Sequence, residues 1–239
     1  MMVHMRIHWL AMLAVAAGLL GLAAPAAAES APPKPDLSGY WNLPYVPNMA
    51  LGKEDMVPYT PAGKAAYVNH DSKDDPTGFC LYPGVPRIMQ SPYPVQFVQT
   101  GSQLLMLFEY MKMWRMIYTD GREHLKGVDA TFMGDSVGNW EGDTLVIDTV
   151  ALNDRTWLDT AGHQHSRQLH VIERLRRTGP DTIAYEITVD DPVMYAKPWK
   201  HERLLTTLKP TPGLPELLEY SCNENNKDVE HLISTKPGK

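Results

Sequence analysis

From Tyr93 onward the chain alternates short apolar–polar runs with tight-turn residues, a rhythm that few folds accommodate. The run PVQFVQT meets Gly101-Ser102 and then QLLMLFEY, and MWRMIYT ends at Asp120-Gly121. A short NW run meets the turn Glu141-Gly142-Asp143 and then TLVIDTV, and LHVIERLRR and TIAYEITVD flank Thr178-Gly179-Pro180-Asp181. HERLLTTLK and ELLEYSC complete the series. Short runs between glycine-bearing turns predict about eight to ten strands in an antiparallel sheet. Side chains two apart share a strand face. Leu145, Ile147 and Thr149 therefore form one face of their strand, and Ile183, Tyr185, Ile187 and Val189 one face of another. Long amphipathic helical patterns are missing, which argues against a parallel α/β fold. An antiparallel sheet must manage its edges, and closure removes them. The expected class is all-β: an antiparallel curved sheet or lipocalin-like barrel, with a two-sheet sandwich as the alternative.

Before Tyr93 the composition changes. Residues 1–28 read as a signal peptide: Arg6 precedes the apolar run Leu10 to Leu22, and Ala26, Ala27 and Ala28 offer a small-residue cleavage site. That run is shorter than the roughly 20 residues that span a bilayer. No stable membrane span is expected after cleavage, and the location is periplasmic or secreted. Residues 29–92 are proline-rich, and proline cannot donate to a strand ladder. They read as an arm lying on a β domain of residues 93–239. Within the arm, Asp36 to Trp41 suggests an opening strand or turn. Pro61 to Asn69 suggests one short helix, with Thr60 as N-cap and Pro61 in the first helical position.

The formal net charge is −6, and loss of the leader with Arg6 makes it more negative. A polyanionic partner such as nucleic acid is disfavoured, because neutralising phosphates needs a basic surface. The two cysteines, Cys80 and Cys222, predict one disulfide in an oxidising compartment. It would close a loop of roughly 140 residues and stabilise by up to about 5 kcal/mol in the chain-entropy model.

Several stretches together carry a resemblance: DLSGYW, CLYPGVPR, YTDGREH, the block MGDSVGNWEGDTLVIDTVALNDRTWLD, then HSRQLHVIERLRR, DPVMYAKPW and EYSCNENN. Over nearly the whole chain after the leader, it resembles a family of secreted bacterial proteins. The resemblance implies an exported single-domain protein and assigns no catalytic residue.

The chemistry-bearing residues are the histidines. His163, His165 and His170 lie in GHQHSRQLH, and His124 follows the turn TDGRE. Imidazole titrates near neutrality and binds transition metals. His165 and His170 are the expected working pair, assisted by His124 and by Asp154, with Asp159 as an alternative carboxylate. The same four histidines, with a carboxylate from Glu173, Asp148 or Glu109, could instead hold a transition metal, the one cofactor the residues suggest. Ordinary hydrogen bonding in loops and strands is the bland alternative. Trp157, Tyr118 and Tyr185 are expected to line a ligand pocket with Glu173, which pairs with Arg115 or Arg174. Met106, Met111, Met113 and Met116 crowd around Trp114, a pattern of core filling or of soft copper ligation. Gly134-Asp135-Ser136 with Asp228 and His231 mimics a serine-hydrolase set, but without the helical layers such enzymes need.

The expected function is an exported enzyme acting on a small, partly apolar organic molecule by histidine–carboxylate acid–base chemistry, as an isomerase, lyase or hydrolase. A non-catalytic lipocalin-like carrier is the alternative, and an accessory domain of an envelope complex a third reading.

Overall fold

A computed structural model of the protein describes residues 34–209 and 211–224. The signal-peptide segment, Asp228 and His231 lie outside them. Nine strands form one closed barrel in chain order: β1 (Gly39–Asn42), β2 (Val95–Gln99), β3 (Gln103–Phe108), β4 (Trp114–Tyr118), β5 (Asp135–Glu141), β6 (Thr144–Val150), β7 (His170–Gly179), β8 (Thr182–Asp190) and β9 (Trp199–Thr207). The helix α1 (Pro61–Asn69) begins as its sequence predicts. Thr60 Oγ1 accepts from Gly63 N at 3.0 Å. Among the described residues no helix is long and apolar enough to cross a membrane.

Closure comes from the proline-rich arm. Its β1 pairs with β2 on one side and β9 on the other. Every neighbouring pair is antiparallel except β4 and β5, which run parallel and meet at one residue pair, Tyr118 with Val137. The barrel is therefore mixed rather than wholly antiparallel. Between these strands the chain spends residues 119–134 returning to the start of the next strand, the long connection a parallel neighbour needs. Gly138 allows the approach. A Cβ there would sit 2.9 Å from Ile117 Cγ2 and 3.0 Å from Thr119 Cγ2.

Alternation aims the core inward. Leu145, Ile147 and Thr149 are fully buried, as are Ile183, Ile187 and Val189, with Tyr185 beside them. With Trp41, Phe97, Met106 and Leu205 they fill the interior. The segment Glu216 to Cys222 is not a strand, contrary to its apolar pattern. Instead Leu218 N donates to Glu109 Oε2, Tyr220 stacks on Tyr110 at 5.2 Å, and Cys222 is bonded to Cys80. Side-chain anchors replace ladder bonds here because the barrel is already closed without it.

Candidate functional site

Above and below their single pairing point β4 and β5 are not bonded, and a cavity of about 560 Å³ opens there. Its walls are soft and aromatic. Met111, Met113, Met116 and Met133 face it, with Phe132, Tyr118 and Trp114. Trp114 is 61 % exposed at the rim, an uncommon position for so large an apolar side chain. Tyr118 is fixed by the Arg122 guanidinium, 3.6 Å above its ring centre. The methionine crowding thus marks a cavity wall, apart from Met106, which is core.

Arg115 and Ser136 also line this cavity, although both are buried. Arg115 Nε donates to Ser136 Oγ at 3.1 Å and its Nη2 to Thr149 Oγ1 at 2.6 Å. Glu173 Oε2 lies 2.5 Å from the same Nη2. Because the aligned donation of Nη2 goes to Thr149, charge more than a directed hydrogen bond holds this pair. Tyr185 OH donates to Glu173 Oε1 at 2.6 Å. Burial, then the Glu173 carboxylate, push the Tyr185 phenol well above its ordinary value, so it stays a donor. Among the described residues Arg115 Nη1 has no partner. A buried guanidinium with an unused donor is poised to take a carbonyl or carboxylate oxygen.

Asp135, at the start of β5, is part of the cavity wall and also holds His124. Its Oδ2 accepts from Leu125 N at 3.0 Å and lies 2.8 Å from His124 Nδ1. On the other side of that ring, Nε2 is 3.1 Å from Asp148 Oδ1. His170 Nε2 is 2.7 Å from the same oxygen. Four groups thus form one chain: Asp135, His124, Asp148, His170. Their side chains are 16–40 % exposed, so solvent and solutes reach them. A neutral imidazole carries one ring proton, so His124 satisfies both carboxylates at once only with a second proton shared among the set.

The remaining predicted residues lie elsewhere. His163 is fully buried against Asp159, Nδ1 to Oδ2 at 2.7 Å, with Tyr67 stacked on its ring at 4.8 Å. His165 is buried with Nδ1 3.1 Å from Ser166 O. Burial holds its ring below the ordinary imidazole value. No hydrogen bond or ion pair joins His165 to His170 among the described residues. Asp154 is exposed. Trp157 is buried, edge-on to His70 at 5.6 Å. The four histidines therefore do not converge as a metal site. Among the described residues, no three of His, Cys, Asp and Glu are placed to hold an ion. Among the described residues Ser136 bonds Arg115 and Thr149 and no imidazole, and the base expected for it, His231, lies outside them.

Sequence reasoning missed Asp135 as the bridge between the histidines and a cavity. Its position as the first residue of β5 offers no signal in the sequence, because its role depends on the parallel joint with β4. No family model matches the chain, and no curated protein matches it.

Proposed function

We propose that the protein is an exported enzyme that moves a proton on a small, partly apolar organic molecule held in the β4/β5 cavity. The observation that carries this reading is the double membership of Asp135, in the cavity wall and in the imidazole–carboxylate chain. Arg115 Nη1 receives the substrate's carbonyl oxygen, while methionine and aromatic walls take its apolar body. Asp135 removes a proton from the carbon next to that carbonyl. The C–H electrons move into an enolate, whose oxygen Arg115 stabilises. His124, Asp148 and His170 hold the proton and return it to the same carbon or, where a β,γ double bond extends the enolate to a dienolate, to the γ carbon, which shifts the double bond into conjugation. The Cys80–Cys222 disulfide and the leader-like N-terminus support an extracytoplasmic location.

The test is solvent-deuterium incorporation next to the carbonyl across a panel of small aryl and terpenoid ketones. Wild-type protein should label at least one, and Asp135→Asn should label it about 100-fold more slowly, the lower range of general-base effects. His124→Asn should fall in the same direction. Ketone binding without labelling by wild type would overturn the catalytic reading in favour of a carrier, and so would labelling that Asp135→Asn leaves unchanged.

A further inference from the structure

A second cleft, of about 550 Å³, lies on the arm and is separate from the β4/β5 cavity. We propose that it binds a neutral, hydroxyl-rich ring, such as one unit of a saccharide. Gln90 provides the first reason. It is 2 % exposed and lines the cleft. Its Nε2 donates to Leu158 O at 3.0 Å, while its Oε1 has no partner among the described residues. A buried acceptor left unmet costs about 1–3 kcal/mol, so it calls for an O–H or N–H from a ligand.

Charge balance provides the second. Arg87 donates to Asp75 through two bonds, at 2.8 and 2.6 Å, and both side chains are about nine-tenths buried. The two charges cancel, and Asp159, the other carboxylate of the lining, is engaged by Met49 N and by His163. An anion would find its cation already taken, and an ammonium its carboxylate already taken. Around the pair sit hydroxyls. Thr77 Oγ1 accepts from Arg87 Nη2 and donates to Asp75 Oδ1, both at 2.9 Å, which leaves the pair Thr160 Oγ1 and Tyr45 OH, 3.2 Å apart, to meet a ligand. Hydroxyls of this kind both give and accept, as the edge of a polyol does.

The third reason is aromatic surface. Tyr93, Tyr110 and Tyr220 pack together at 4.7–5.2 Å on one side of the cleft, and Tyr45 stands 53 % exposed on its wall. A saccharide ring has hydroxyls at its edge and C–H groups on its faces, so it meets hydroxyls and aromatic faces together.

The experiment is calorimetric titration of the full protein with neutral tetrasaccharides: malto-, cello-, manno- and chito-oligomers. Inositol and p-nitrophenol serve as a non-sugar polyol and a phenol. Binding of at least one saccharide is expected. Gln90→Met, close in shape but without the acceptor, should weaken it about tenfold, the size of one hydrogen bond. Should Gln90→Met fail to fold, Tyr45→Ala removes an exposed ring and is expected to weaken the same binding. No saccharide bound, p-nitrophenol bound alone, or saccharide binding unchanged by the folded variants would each overturn the proposal.

Discussion

Replacing Glu173 with glutamine keeps the shape of the side chain and the acceptor for Tyr185 OH, but removes the charge that faces Arg115. Both side chains are almost fully buried, at 2 % and 0 % exposure. Breaking a buried pair from one side leaves the other charge uncompensated, at about 3–5 kcal/mol. In a chain of this size each kcal/mol moves the midpoint by roughly 2–4 °C, so Tm should fall by roughly 6–20 °C. Arg115→Met strands Glu173 instead, and should cost a similar amount. The double variant strands neither charge. Its glutamine still accepts from Tyr185 and can meet Ser136 or Thr149, so its loss should be far below the sum of the two singles. Urea unfolding at constant pH, with the disulfide intact, measures all four proteins. Two results would refute the reasoning: a Glu173→Gln loss under about 1 kcal/mol, or a double variant whose loss equals the sum of the singles.

Other parts of the structure make further predictions. Burial holds the imidazoles of His165 and His201 below their ordinary value, and the nearby Arg203 cation adds to this at His201. The unfolded chain therefore binds protons more readily, and stability should fall as pH drops below about 6.5, by up to about 1.4 kcal/mol per unit for each ring. Urea midpoints between pH 7.5 and 5 should show that slope, and His165→Gln should reduce it. The Cys80–Cys222 bond closes a loop with a sequence separation of 142, for which chain entropy gives about 5 kcal/mol as an upper figure. A Cys80→Ser/Cys222→Ser protein should unfold at distinctly lower temperature in calorimetry, and an unchanged midpoint would contradict this. A Cβ on Gly63 would lie 2.0 Å from Met194 O, a backbone atom that cannot swing away. Gly63→Ala should therefore cost more in urea titrations than loss of the helix cap in Thr60→Ala, itself about 1 kcal/mol.

Much of the fold was legible because period-two alternation is a local property. The inward faces at Leu145–Thr149 and Ile183–Val189 follow from spacing alone, and so do the strand breaks at Gly142 and Gly179. Barrel closure was harder to see, since β1 lies in a proline-rich stretch and pairs across most of the chain with β9. The tail Glu216–Cys222 misled for the opposite reason: its apolar pattern reads as a strand, yet Leu218 is 46 % exposed and only Cys222 is buried, so such a pattern alone does not place a segment in a ladder.

The candidate site shows where one-dimensional clustering stops being informative. His163, His165 and His170 are neighbours in sequence, yet the first is sealed against Asp159, the second caps its own loop at Ser166, and the third turns outward at the start of β7 to Asp148. His163 and His165 sit on an excursion between strands, which gives them no constraint to converge with His170 at the start of β7, whereas strands in register do converge. Asp148 and His170 meet because β6 and β7 are paired there, with Asp148 opposite Ile172. His124 joins them because the long return between β4 and β5 passes over the same outer face before β5 begins. That return produces both halves of the site: it makes the parallel joint that opens the cavity, and it delivers the imidazole whose partner lines it. Shortening the 119–134 connection should therefore remove ligand binding and proton transfer together, while Asp135→Asn should remove proton transfer alone. Ketone titration and deuterium labelling on the two variants distinguish these outcomes, and loss of labelling without loss of binding in the shortened protein would contradict the link.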